Sequence, residues 1–329
     1  MPALIISRVL QAVPVLLAVG LVAFAMFAFV GDPVATMLGQ NATAADRAAV
    51  THQLGLDQPF YDQYARFLWS AMRGDFGISY RLARPVSGLI AERLPATVEL
   101  ALTASLLALL IGIPAGVYTA IHRAAPGSRL LLALSLIGVS LPTFLLGILL
   151  ILVFSVLLHW LPSFGRGDVV HLGWWSTGLL TVSGLKALVL PSVTLALFQM
   201  TLIMRLVRAE MLEALRTDYV KFARARGLTN RAVNFGHALR NTLVPVVTIA
   251  GLQFGMVVAF SIVTETVFQW PGMGLLLVQS IAVADVPVMS AYLLLIAVLF
   301  VAINLVVDLL YFVVDPRLRL ERGVAQATR

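Results

Sequence analysis

Cysteine is absent from the 329 residues. Disulfides, thiolate metal sites and thiol nucleophiles are therefore excluded, with nothing implied about compartment. Lysine is nearly absent too. Lys186 and Lys221 are the two, and neither follows a glycine as a GK[ST] phosphate loop requires. The five histidines (His52, His122, His159, His171, His237) are scattered, without an HExxH or an i,i+4 pair, and there is no Gly-x-Ser-x-Gly elbow. These gaps argue against an enzyme with its own metal, cofactor or ATP site. Charge is scarce as well: 12% of residues are charged against 60% apolar, with a mean hydropathy of +0.94. A soluble fold of this size needs more charge to cover its surface, so the chain reads as an integral membrane protein. The basic pI of 10.2 then marks loops on the cytoplasmic side rather than a nucleic-acid partner.

A spanning helix needs about 20 mainly apolar residues. Six runs qualify: 9–30, 100–121, 130–158, 187–204, 244–263 and 291–314. The expected fold is an all-α membrane protein of six transmembrane helices in a single domain. Pro14, Pro114, Pro142, Pro191 and Pro245 fall inside these runs, where neighbouring helices satisfy the freed carbonyls. The first run is longer than the usual core of a cleaved signal, despite the small-x-small triplet Ala23-Phe24-Ala25, and reads as a retained helix. With a cytoplasmic N-terminus, the inside segments hold Arg8, Arg123, Arg129, eight basic residues after the fourth run, and Arg317, Arg319, Arg322 and Arg329. That is fifteen of the 23 basic residues, which places both termini in the cytoplasm.

The outside loop 31–95 reads as structured. Asp57 is a candidate N-cap with Pro59 in the first turn, and Phe60, Tyr64, Phe67, Leu68 and Ala71 recur at helical spacing up to Gly74. Such a helix suits a membrane surface. A second short helix over 85–94 places Val86, Leu89, Ile90 and Leu94 on one face, and the glycines of Gly74-Asp75-Phe76-Gly77-Ile78-Ser79 mark a tight turn between the two. The favoured role for this loop is a structural plug over the channel mouth.

The coupling loop 205–243 stands apart. Over Arg205–Pro245 it carries Arg205, Arg208, Arg216, Lys221, Arg224, Arg226, Arg231 and Arg240 against Glu210, Glu213 and Asp218, a net +5. Thr217 or Asp218 is placed to cap a helix over 219–226, Gly227 to end it in the left-handed region, and Thr229 or Asn230 to cap a second helix to about Leu239. Composition alone allows two readings, a knob that enters a groove on a partner or a basic loop resting on anionic lipid.

Ordered blocks along most of the chain decide between them: LGLDQPF at 54–60, GDFGIS at 74–79, RLPATVEL at 93–100, LPS at 161–163 with Gly165, DYVKFARARGL at 218–228, HALRNTLVP at 237–245, VTETVFQWPGMG at 263–274 and DPR at 315–317. The chain resembles the inner-membrane permease subunits of binding-protein-dependent ABC importers. Within them it resembles the dipeptide/oligopeptide/nickel branch, and there the paired subunit with the larger outside loop. The family's coupling motif is Glu-Ala-Ala, three residues, Gly, nine residues, then Ile-x-Leu-Pro. Aligned on Gly227, this chain keeps alanine, glycine and leucine, and departs at Lys221, Phe222, His237 and Arg240.

The resemblance implies a type I-like importer permease working by alternating access. Its implied partners are a second homologous permease subunit, two ATPase subunits that bind ATP and Mg, an extracytoplasmic binding protein and membrane lipid. It carries over Asp218, Lys221, Ala223, Arg224, Ala225, Gly227 and Leu228 as ATPase-coupling positions. The pathway candidates come from the residues themselves. Glu265, beside Thr264, lies near the outer end of the fifth run, and Asn304 and Asp308 share a face at i,i+4 on the sixth. For all three a structural role competes with lining the path. Peptides are the expected substrate, with nickel complexes, glutathione-like compounds and oligosaccharides as alternatives. An ion-gradient-driven transporter would show inverted half-repeats and paired broken helices with membrane-buried acid residues, which are not evident.

Overall fold

The computed structural model describes residues 2–29, 43–54 and 57–314. DPR at 315–317, the basic residues from Arg317 onward, part of LGLDQPF, the last residue of the first apolar run and residues 31–42 of the expected outside loop lie outside the described residues. In chain order the helices are α1 (Pro2–Phe29), α2 (Ala44–Leu54), α3 (Phe60–Met72), α4 (Val86–Ile121), α5 (Pro126–Ser140) and α6 (Thr143–Leu150), with α6 continuing as a π-helical turn over Ile151–Leu157. Two three-residue strands, β1 (Val170–Leu172) and β2 (Trp175–Thr177), pair before α7 (Val182–Ala214). Then come α8 (Asp218–Ala225), a π-helical turn over Ala232–Ala238 leading into α9 (Leu239–Val267), α10 (Met273–Ile281) and α11 (Val286–Val314). Helices dominate because hydrocarbon leaves each peptide group only its own helix for a partner. Among the described residues five helices are long and apolar enough to cross a membrane, or six if α5 and α6 form one broken span.

That broken span corrects the expected single helix over 130–158. Leu141 is extended (φ −92, ψ 135) and the chain bends by 112° between α5 and α6. Pro142 has no N–H for the ladder, and its ring pushes the preceding residue out of the helical region. Pro14, Pro191 and Pro245 lie within continuous helices. The short helix over 85–94 is also corrected: it is the first part of α4, which runs 36 residues through Pro95.

The chain divides into two compact units, each interleaved in sequence. One comprises the residues up to Thr97 with His171–Thr177 and Pro271–Val301. In it, Phe24 of α1 packs against the rings of Phe60, Tyr64 and Phe67 at 5.0, 5.7 and 5.7 Å, and Tyr64 Oη donates to the Leu17 carbonyl at 2.7 Å. The aromatic face of α3 is therefore turned toward α1. Its N-cap position is Pro59 rather than Asp57, without a side-chain cap. Asp285, 1% exposed, organises the turn after Gly77: its carboxylate accepts from Ser79 Oγ at 2.5 Å, the Tyr80 N–H at 3.1 Å and the Arg81 N–H at 3.4 Å. Burial and the nearby Asp285 charge push the Tyr80 hydroxyl pKa up to about 12.

The other unit comprises Val98–Val170, Gly178–Trp270 and the chain from Ala302. Here α4 lies tightly on α7. A Cβ on Gly112 would sit 3.0 Å from the Met200 carbonyl oxygen, and one on Gly116 would sit 2.6 Å from Val207 Cβ. Gly112 and Gly116 are one turn apart, a small-xxx-small face that lets two backbones approach. Helix α7 also packs on α9.

Candidate functional site

The corner expected to couple to a partner is built from the end of α7 to the start of α9. Helix α7 runs ten residues past the expected end of the fourth span at Met204, so Arg205, Arg208, Glu210 and Glu213 are helical. A turn at 215–217 then redirects the chain into α8. Thr217 holds the N-cap position, but its hydroxyl donates back to the Ala214 carbonyl at 2.5 Å and makes no cap bond. Asp218 occupies the first helical position, where a negative charge suits the helix dipole. Its carboxylate takes a 2.8 Å ion pair from Lys221 Nζ, which holds the Asp218 pKa below the usual carboxylate value. Both side chains are exposed, so this pair sets local geometry more than stability.

The C-terminal end of α8 matches the expected cap. Gly227 has φ +81, its N–H donates to the Arg224 carbonyl at 2.9 Å, and the Leu228 N–H reaches back to the Ala223 carbonyl at 3.3 Å. These two bonds make a complete Schellman motif. No heavy atom lies within 4 Å of where a Cβ on Gly227 would sit. The glycine therefore answers to backbone angle rather than crowding. Thr229 Oγ1 accepts from the Ala232 N–H at 3.3 Å and caps the next helix, as expected. That helix does not end near Leu239: its π-helical turn passes without a break into α9, and 232–267 form one 36-residue span.

Val220 and Ala223 of α8 are buried, as is Val233 of the π-helical turn on which α8 packs. On the opposite side Tyr219, Phe222 and Leu228 are 40%, 63% and 42% exposed, and Arg226 lies over the Phe222 ring at 5.8 Å. Arg224 and Ala225 are exposed as well. The seven carried-over positions thus fall on one short helix and its corner. Ala223 faces inward, Asp218 and Lys221 pair with each other, and Arg224, Ala225 and Leu228 face outward.

The pathway candidates are not gathered into one site. Glu265 is fully buried and its Oε1 accepts from Ser261 Oγ at 3.2 Å on the same helix. Its carbonyl accepts the Trp270 N–H at 2.8 Å, closing the chain reversal after α9. Asn304 and Asp308 are half-buried on α11.

Two charges that were not singled out in the sequence prove central to the same unit. Glu99 and Arg166, with side chains 2% and 6% exposed, form an ion pair, with Arg166 Nε donating to Glu99 Oε2 at 3.1 Å. The N–H groups of Gly178 and Leu179 also donate to Glu99 Oε1, at 3.1 and 3.0 Å, and Arg166 stacks over the Trp270 ring at 5.9 Å. A lone acid opening an apolar run was the available signal for Glu99.

Long apolar helices, with polar side chains tied down among them or concentrated at a corner between two spans, define a polytopic membrane protein of the transporter kind. The chain belongs to the family described as "Binding-protein-dependent transport system inner membrane component", whose model matches residues 112–320, with the corresponding N-terminal model over residues 1–101. It is 41% identical over 322 residues to a putative peptide transport system permease protein of Brucella abortus (strain 2308), covering 97% of this chain and 99% of the relative. It is 40% identical over 316 residues to the glutathione transport system permease protein GsiC of Escherichia coli (strain K12), covering 96% and 98%. Among solved structures it resembles the inward-facing MetNI methionine ABC transporter, with a TM-score of 0.56 at 21% identity over 69% of this chain and 96% of that one. The chain is accordingly a multi-pass inner-membrane permease with the fold of an ABC importer subunit, and its family implies ATPase and binding-protein partners.

Proposed function

We propose that the chain forms the translocation pathway for di- or oligopeptides together with a second homologous permease subunit, as one permease domain. Two ATPase subunits bind ATP and Mg and grip the corner at 218–228, and an extracytoplasmic protein delivers the substrate. Both termini and the corner lie in the cytoplasm, and residues 31–95 lie outside as a plug over the channel mouth. The observation that carries this reading is the corner itself. Its apolar and basic side chains face outward on a short helix, while Val220, Ala223 and the Schellman cap fix the helix to the start of α9. Such a knob transmits a push as a rigid body.

Glu265, fully buried and bonded within its own helix, is proposed as a brace at the end of α9. Asn304 and Asp308 remain candidates for lining the path. Peptide is favoured by the Brucella relative's name, whereas the Escherichia coli relative's name points to glutathione, itself a small peptide.

The test is uptake into proteoliposomes holding the permease pair, the ATPase subunits and the binding protein. Labelled peptide should accumulate only with ATP enclosed on the corner side. Uptake driven by an imposed ion gradient without ATP would replace this reading with a secondary transporter. ATP hydrolysis indifferent to binding protein and substrate would point to a non-transporting scaffold. Glutathione or nickel uptake without peptide uptake would correct the substrate alone.

A further inference from the structure

A cavity of about 870 Å³ opens between the end of α4 and the coupling corner. Its floor is apolar, with Ile113 and Val117 from α4 and Leu239 from α9. Its rim is basic: Arg123 follows α4, Arg216 follows α7, Arg224 lies in the last turn of α8 and Arg231 precedes the π-helical turn. No carboxylate is among the lining residues. Among the described residues the side chains of Arg216, Arg224 and Arg231 have no ion-pair partner, and Arg123 Nε makes one 3.4 Å bond to the Ala120 carbonyl. Four guanidinium groups from four separate elements thus border one concavity without a counter-charge. Like charges so placed repel unless an anion sits among them, and the planar guanidinium fork matches phosphate oxygens.

The apolar floor narrows the choice. It belongs to two helices long and apolar enough to cross a membrane, near the ends of both. A soluble phosphate would leave the exposed apolar lining, Pro114 and Phe235 with half-buried Ile113 and Leu239, facing water, whereas a phospholipid covers it. We propose that this cavity binds the headgroup of an anionic phospholipid, with its phosphate on Arg123, Arg216 and Arg231 and the start of its acyl chains on the apolar floor. The bound lipid then neutralises the face of the corner that borders α4. The inference needs no ATPase at the corner, so it stands or falls separately from the coupling role.

The test uses the full chain purified in neutral detergent and titrated with phosphatidylglycerol, phosphatidylcholine and inorganic phosphate, with native mass spectrometry counting retained molecules. Phosphatidylglycerol should be held about 10-fold more tightly than phosphatidylcholine, with binding weakening as salt rises. Arg216→Gln with Arg231→Gln should lower phosphatidylglycerol retention about 10-fold, and the matching lysine pair should lose less. Arg123→Gln, on a different element, repeats the measurement should the double variant fold poorly. Equal retention of the two lipids, or no loss in any glutamine variant, would overturn the proposal. Inorganic phosphate competing at the lipid's own concentration would assign a soluble anion instead. Added ATPase subunits that expel the lipid would assign the cavity to an acidic protein surface.

Discussion

Gly227 permits a substitution series in which one energy term changes at a time. Its φ of +81 lies in the left-handed region, and space around its Cβ position is open for 4 Å. Substitution there adds backbone strain without a clash. For an L-residue that strain is about 1–2 kcal/mol, and more for a β-branched one. A cooperative domain absorbs such a loss, but α8 is eight residues long and buries only Val220 and Ala223. Helices this short are marginal without tertiary support, so the strain falls on a small local margin. A loss of about 1–2 kcal/mol shifts the formed corner against frayed forms by roughly 5–30-fold, and a partner that takes only the formed corner loses apparent affinity accordingly. The expected order of ATPase binding is Gly, then Asn (which tolerates the left-handed region), then Ala, then Val. The assay is ATPase retention on nanodiscs carrying each variant, with ATP-driven uptake beside it. A Gly227→Val protein that binds and transports normally, or a Gly227→Asn protein as damaged as the valine, would refute the reasoning.

Four further outcomes follow from the same packing. Arg166→Met removes the ion-pair partner of the buried Glu99 carboxylate and should destabilise the chain by about 3–5 kcal/mol; adding Glu99→Gln should recover part of it in thermal unfolding in nanodiscs. Asp285→Asn turns an amide toward at least one of three donors, costing about 1–3 kcal/mol, and should open residues 77–81 to limited proteolysis. Gly116→Ala forces a Cβ to within 2.6 Å of Val207 Cβ, and the overpacking should cost about 1–3 kcal/mol, read as a lowered melting temperature. The Tyr80 pKa is raised from 10.0 to about 12 in the folded chain. Its contribution to stability is therefore complete below pH 10 and lost as pH rises toward 12. Between pH 9 and 11 the melting temperature should fall further in the wild type than in Tyr80→Phe.

Local signals carried most of what the residues alone revealed. The apolar runs located the spans, and KFARARGL marked the left-handed glycine, because each depends on neighbours a few positions away. What escaped was decided at a distance or by one peptide group. Pro95 and Pro142 look alike in a string of residues, yet α4 passes through the first and the chain turns sharply at the second. Glu99 and Arg166 are 67 residues apart, and nothing local says that the lone acid and the lone arginine will meet. The aromatic stripe of α3 reads equally well for lipid or for a neighbouring helix, and only Phe24 and the Leu17 carbonyl choose the helix. The Gly112–Gly116 spacing passes unmarked among the apolar residues of its run, and only the close approach of α4 to α7 gives it meaning.

The unbroken run from Ala232 to Val267 has a mechanical meaning. At about 1.5 Å per residue it is a rod roughly 50 Å long, with the corner at one end and the Glu265–Trp270 reversal at the other. A tilt of about 10° imposed at the corner displaces the far end by roughly 9 Å, a lever-arm gain set by helix length alone. The π-helical turn at Ala232–Ala238 lies at the corner end of that lever, where a wider helical bore interrupts the regular α-helical ladder.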